Sequence, residues 1–138
     1  MSFNMKNSNK YVKSFKDLEI YKISRQLAKD IFVLTKNFAL EEKYSLVDQI
    51  RRSCRSIGAQ IAEAWGKRKY INHFISKLTN ADAEQLETQH WLEILNECDY
   101  LSNEKMNELM KKCESIGKIL NTIILKADLF CQKPSNNN

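Results

Sequence analysis

The sequence predicts an all-α protein, an antiparallel up-down-up-down four-helix bundle. Four segments carry apolar residues at steps of three, four or seven, the spacing that lines one face of a 3.6-residue spiral. The 138 residues include only 3 Gly and 1 Pro, too few turn formers for a sandwich or barrel, which turns about every ten residues. A chain of this length is normally one domain and buries roughly two-thirds of its unfolded surface, enough for a single core between four helices.

The elements follow in order. Residues 1–14 are rich in Asn, Lys and Ser, have little to bury, and read as a flexible lead. The bundle is expected over residues 15–131, and residues 132–138 as a disordered tail. Helix one opens near Ser14 or Asp17, either of which can cap it, and Glu19 suits the positive end of its dipole. Its stripe is Ile20, Ile23, Leu27, Ile31, Leu34 and Phe38. Residues 39–44 connect to helix two, expected from about Glu42 to Trp65. There Leu46, Ile50, Ile57, Ile61 and Trp65 stack, with Cys54 filling the gap, and Gly66 offers a C-terminal cap.

A basic connection, Lys67-Arg68-Lys69, leads to helix three, expected from about Tyr70 to Asp99. Its stripe is Phe74, Leu78, Ala81, Thr88, Leu92 and Leu95, with Ile71 and Ile75 alongside. Helix four follows Ser102, a cap residue. Its stripe is the most regular in the chain: Met106, Leu109, Cys113, Ile116, Leu120, Ile123, Ala127 and Phe130. Pro134 ends the helical pattern.

The stretch 46–92 concentrates the chemistry. Arg51 and Arg55 are i,i+4 neighbours whose guanidinium groups repel unless an anion or acid intervenes. Two readings stand: a solvated or internally paired face, or a site for phosphate or an acidic partner. In the middle of helix three, Asn80, Asp82, Glu84, Gln85, Glu87, Thr88 and Gln89 leave few positions for apolar contact. Some of them must face the interior, where polar groups need partners, and the arginines of helix two are expected to supply them.

No pattern of catalysis accompanies these residues. Asp82 with Glu84 or Glu87 forms a carboxylate pair, but the Glu-x-x-His spacing of carboxylate-bridged metal bundles is absent. His73 and His90 are too far apart to share a helical face. The expectation is therefore no enzyme, no cofactor and no metal. Of the four cysteines none forms a Cys-x-x-Cys pair, and Cys54, Cys98 and Cys113 sit on apolar stripes, so free thiols are expected, these three buried, with Cys131 beyond them.

A net charge of +5 and a pI near 9.0 permit a nucleic-acid or acidic partner without demanding one. No apolar run approaches the roughly 18 residues of a membrane span, and the polar first residues lack a signal core. No membrane association and a cytoplasmic location are the expectation.

The run YSLVDQIRRSCRSIGAQIAEAW, followed by KRKYINHFISKLTNADAEQLETQHWLEILNECDYL and preceded by SFKDLEIYKISRQLA, resembles the 23S rRNA intervening-sequence protein family. The shared pattern is a Phe-x-x-Leu opening, Leu-x-x-Gln-Ile-Arg-Arg, Ser-Ile-x-x-Asn-Ile-Ala-Glu and a Glu-Thr-Gln segment, spread over residues 15–130. It falls on Gln49, Arg51, Arg52, Ser56, Ile61, Ala62, Glu63, Arg68, Phe74, Glu87, Thr88 and Gln89. Gln60 stands where the family usually has Asn, and Ala64 where many members have Gly. The resemblance implies a small bundle that assembles as a ring-shaped homopentamer and carries no enzymatic activity. Related bundles serve as accessory proteins of retroelements, where a basic surface is thought to contact nucleic acid and a reverse transcriptase.

Two functions are weighed. In one, Arg51, Arg52, Arg55, Lys67, Arg68 and Lys69 neutralise phosphate while Tyr70 and Trp65 stack on bases. In the other, the protein is an assembly scaffold whose arginines are consumed by Glu84, Glu87 and Glu63 within or between subunits. Trp65, Trp91, Ile94 and Tyr70 lie off the main stripes, and large apolar groups left over from a core mark an interface. The first three are the candidate contacts of a homo-oligomer, in which the basic turn would repeat around one rim.

Overall fold

Ser14 and Asp17 set the entry to the bundle through a reciprocal cap. The Ser14 Oγ accepts from the Lys16 backbone N–H at 3.1 Å, and Asp17 Oδ2 accepts from the N–H groups of Lys13 and Ser14 at 3.0 and 3.2 Å. This closes a 3-10 turn, Phe15–Asp17, after which helix α1 runs Glu19–Thr35. Helix α2 is Leu46–Gly66, α3 is Ile71–Glu97 and α4 is Asn103–Leu125, with a last 3-10 turn at Ala127–Leu129. The computed structural model describes residues 12–38, 41 and 45–131. Most of the expected lead, the tail, the start of helix two at Glu42 and most of the first connection lie outside those residues.

Three ends differ from the sequence expectation. The caps Ser14 and Asp17 act one turn upstream of α1, whose own N-cap position is Leu18, without a side-chain hydrogen bond. Helix α1 stops at Thr35, so Phe38 lies beyond it, its ring 5.3 Å from that of Tyr100. Gly66 is the last residue of α2 and no described glycine has a positive φ, so it is not a left-handed cap; Lys67 closes the helix through its N–H to the Ala64 carbonyl at 3.0 Å. Asp99, at φ 63°, makes the left-handed turn between α3 and α4, a conformation that Asp and Asn tolerate better than most. Ser102 caps α4 as expected, accepting from the Lys105 N–H at 3.1 Å.

Side-chain contacts give the topology. Arg51, early in α2, meets Thr35 at the end of α1, while Gly58, later in α2, lies against Tyr21 and Ser24 near its start. The same reversal joins α2 to α3, through Ser53 with Thr88 and Glu63 with Lys77, and α3 to α4, through Asn96 with Asn103 and Gln85 with Gly117. Lys112 on α4 reaches Asp30 on α1 and closes the circle. Each helix is thus antiparallel to its neighbour in sequence.

The four stripes meet in one core. Ile20, Leu27, Ile31, Ile50, Ile57, Leu92, Leu95, Leu109, Ile116 and Leu120 are completely shielded from solvent. Each contributes about 1.5–3 kcal/mol of transfer free energy, an upper value because unfolded chains are partly collapsed. Ile23, Leu34, Leu46 and Met106 are only half-buried, and Ile71 is exposed. Cys54 and Cys113 are buried, and burial pushes their thiols up to about 11 and about 12, so both stay neutral packing groups. All four cysteines are free, but Cys98 is exposed instead of buried, because α3 ends at Glu97 and leaves it beyond the packed turns.

The polar middle of α3 is satisfied without the arginines of α2. Thr88 Oγ1 lies 2.9 Å from both Ser53 Oγ and the Glu84 carbonyl. Gln85 Nε2 donates to Asp82 at 2.9 Å, and its Oε1 accepts from Gln89 at 2.7 Å. Gly117 makes room for this amide: a Cβ there would sit 2.9 Å from Gln85 Nε2. Buried polar groups need partners, and here a serine and a chain of amides provide them.

Candidate nucleic-acid interface

The arginines of α2 point toward α1. Arg51 Nε donates to Thr35 Oγ1 at 2.9 Å, and its guanidinium sits 4.7 Å from the Phe32 ring centroid, with that of Arg55 at 5.9 Å. One ring therefore receives two cations, each attracted by its π-electrons. Arg52 is exposed and reaches Asp48 at 3.9 Å, a contact of little energetic weight. Among the described residues, none of these arginines pairs with Glu63, Glu84 or Glu87, and Glu63 pairs instead with Lys77 at 3.2 Å. The pairing expected of a scaffold is thus not made within the chain.

Between α1 and α2 lies an open groove of about 970 Å³. Lys16, Lys22, Arg25, Lys29 and Arg55 line it and, among the described residues, no carboxylate does, although Asp17 stands near enough to Lys22 to feel its charge. Its floor is small and apolar, made of Ala28, Cys54, Gly58, Ala59 and Ala62, with Phe15, Tyr21 and Phe32 as aromatic walls. The helices come close at Gly58, where a Cβ would meet Ser24 Oγ at 3.3 Å, which keeps the floor flat. Arg25 donates to the Tyr21 hydroxyl at 3.2 Å, and Phe15 meets the Tyr21 ring edge-on at 4.9 Å.

The acids of α1 lie off this face. Asp30 turns to α4: burial pushes its carboxyl up, but hydrogen bonds from Lys112 and Gln26 and the Lys112 charge outweigh that and hold it below its ordinary value. A concave surface of one sign, walled by low-dielectric side chains, focuses potential and attracts anions. Sequence reasoning missed Lys16, Lys22, Arg25 and Lys29. The signal was present, since 22, 25 and 29 fall at i, i+3 and i+7 of one helix, with Glu19 the acid nearest in spacing, three residues before Lys22.

The basic turn is split in role. Arg68 Nε donates to the Trp65 carbonyl at 2.8 Å, and its guanidinium lies 3.4 Å from the Trp65 ring centroid, covering one of that ring's faces. Lys67, Lys69 and Tyr70 are exposed, with Lys69 Nζ 5.7 Å from the Tyr70 ring and the His73 ring 5.4 Å away. Because α1 and α2 are antiparallel, this turn stands at the same end of the bundle as Lys16 and Lys22. Arg51, Arg55 and the groove follow one seam, the turn stands at one end of the bundle outside the groove lining, and Arg52 faces solvent. Trp65, Trp91 and Ile94 are half-buried, the two tryptophans packed against the core. Among the described residues, the buried Trp91 Nε1 and Gln60 Oε1 have no hydrogen-bond partner.

Among the described residues no three His, Cys, Asp or Glu side chains are grouped as ligands of a metal ion, and no helix is long and apolar enough to cross a membrane.

Fold and face together define a four-helix bundle with a cationic groove between its first two helices. The chain belongs to the 23S rRNA-intervening sequence protein family, whose model matches residues 16–122. A crystal structure of a protein of unknown function from the S23 ribosomal protein family of Bacteroides thetaiotaomicron is similar at 34% identity. The likeness covers 77% of this chain and 95% of that one, with a TM-score of 0.70. No curated protein matches the chain.

Proposed function

We propose that this chain is a non-enzymatic, oligomeric accessory protein that binds nucleic acid through its α1–α2 face. The observation that carries this is the groove lined by Lys16, Lys22, Arg25, Lys29 and Arg55 without a carboxylate among the described residues. Such a face repels itself in the free protein and is relieved by phosphate. Lys67, Lys69 and Tyr70 add exposed cations and a ring at the same end of the bundle as Lys16 and Lys22. Trp65, Trp91 and Ile94, large apolar groups left half-buried, support assembly, since a neighbouring subunit can cover them. In a ring of the kind the family resemblance implies, modest contacts on each copy add through effective concentration. A protein partner, a reverse transcriptase being the one that resemblance suggests, would then supply sequence choice.

The test is salt dependence. With five phosphates neutralised by the groove, the logarithm of affinity for a single strand should fall with log salt at a slope of about −3.5. Reversing Arg25 and Lys29 to Glu should weaken binding by more than tenfold and flatten the slope by at least about 1.4, with the oligomer's mass unchanged. No binding at low salt, together with a lost oligomer on reversal, would favour the scaffold.

A further inference from the structure

We infer that the α1–α2 groove takes a single strand of nucleic acid, its bases laid on the apolar floor and its phosphates held by the cationic rim. The inference rests on the nucleic-acid reading above and narrows it. A rim of cations alone would serve any polyanion. The groove has more than a rim: Ala28, Gly58, Ala59 and Ala62 form an apolar recess, with Tyr21 and Phe32 about 16 Å apart along α1 as its aromatic ends. Polyphosphate has nothing to place on that floor. A duplex keeps its bases stacked inside and presents sugar and phosphate outward, so it touches the rim only. A single strand offers the π-face of every base to apolar and aromatic side chains while its backbone follows the charges.

A helix from a second copy is the competing occupant, since small residues admit close helix packing. Charge decides against it: every copy carries a net +5, and the groove holds five cations with no carboxylate among the described lining residues.

Filling the recess without touching a charge separates these cases. Ala59 is exposed and Ala62 half-buried, so Ala59→Leu with Ala62→Leu plugs the floor while keeping good helix formers. Fluorescence anisotropy on the full chain would compare a short single-stranded oligonucleotide, its blunt duplex and inorganic polyphosphate. The wild type should prefer the single strand to the duplex by about tenfold or more, and the double variant should lose that preference while holding polyphosphate within about twofold. If all three probes weaken together, or the single strand does not weaken, the recess is not used and only the charged-face reading survives. If the variant's oligomer mass falls, the groove is a contact between copies and the inference fails. Should the double variant not fold, Ala59→Leu alone carries the same comparison at an exposed position.

Discussion

On its α3 flank, helix α2 sets Ser53 against Thr88 at 2.9 Å, pairs Glu63 with Lys77 and leaves little room between the two backbones. On its α1 flank the same helix turns out Arg55, Gly58, Ala59 and Ala62 beside Tyr21, Arg25 and Lys29, and a groove of about 970 Å³ remains. One seam spends its polar groups on each other; the other sets its arginines over Phe32 and Tyr21 and gives the groove cations no ion pair among the described residues. The contrast shows where a small bundle keeps its stability and where it has surface to spare for binding.

The largest effect should come from truncating one apolar residue on each side. Leu92 is completely buried, so Leu92→Ala should cost about 2–5 kcal/mol in chemical denaturation. Phe32 is 39% exposed and holds only its cations and one wall of the groove, so Phe32→Ala should cost about 1 kcal/mol. Equal losses would mean that the open seam is as structural as the closed one, and the contrast would collapse.

Much of this could be read from the chain before any coordinates. The four stripes, the Ser102 cap and the antiparallel order follow from residue spacing and short connections, and the resemblance to the intervening-sequence family agrees. The direction of the arginines does not follow. Arg51 and Arg55 sit on the flank of α2, and which neighbour that flank meets depends on whether the bundle turns left or right, which a periodic pattern leaves open. The expectation took the acids of α3 as their partners, because opposite charges attract, whereas Phe32 and Thr35 on α1 receive Arg51. Ser24, Ser53, Thr35 and Gln85 also sit inside the core, where a count of apolar residues passes over them. The groove was partly legible: four of its five cations stand on α1 or just before it, and what the spacing leaves open is that Arg55 of α2 joins them across the seam.

A smaller effect tests the closed seam itself. Thr88→Val keeps the shape and removes the hydroxyl that Ser53 Oγ and the Glu84 carbonyl share. The expected loss is about 1 kcal/mol, a drop of a few degrees in melting temperature. Binding to a single strand should not change, because Thr88 is buried on the far flank of α2 from the groove. A binding defect from Thr88→Val would show that the two seams are coupled.

The smallest effect concerns Glu84, half-buried on the closed side. Burial raises its pKa above the ordinary 4.5, and the charge of Glu87, one turn on, raises it further. A carboxyl whose folded pKa is raised makes the native state bind its proton more tightly than the unfolded chain does. Stability is therefore reduced as pH climbs from 4.5 through the folded value, and the deficit is constant above it. Glu84→Gln carries no charge at any pH, so it should raise stability near neutral pH, by no more than about 0.5 kcal/mol after solvent screening. The gain should vanish below pH 4.5, where the unfolded carboxyl is protonated as well. Asp30 runs the other way: its lowered pKa adds stability above 3.8 that is lost as pH falls through the folded value, so Asp30→Asn should destabilise at neutral pH and not in strong acid. Melting curves of both variants at neutral and acid pH measure the pair of signs. If Glu84→Gln instead destabilises at neutral pH, then in the assembled protein Glu84 meets a cation that a single chain does not supply, and the closed seam is itself a surface between subunits.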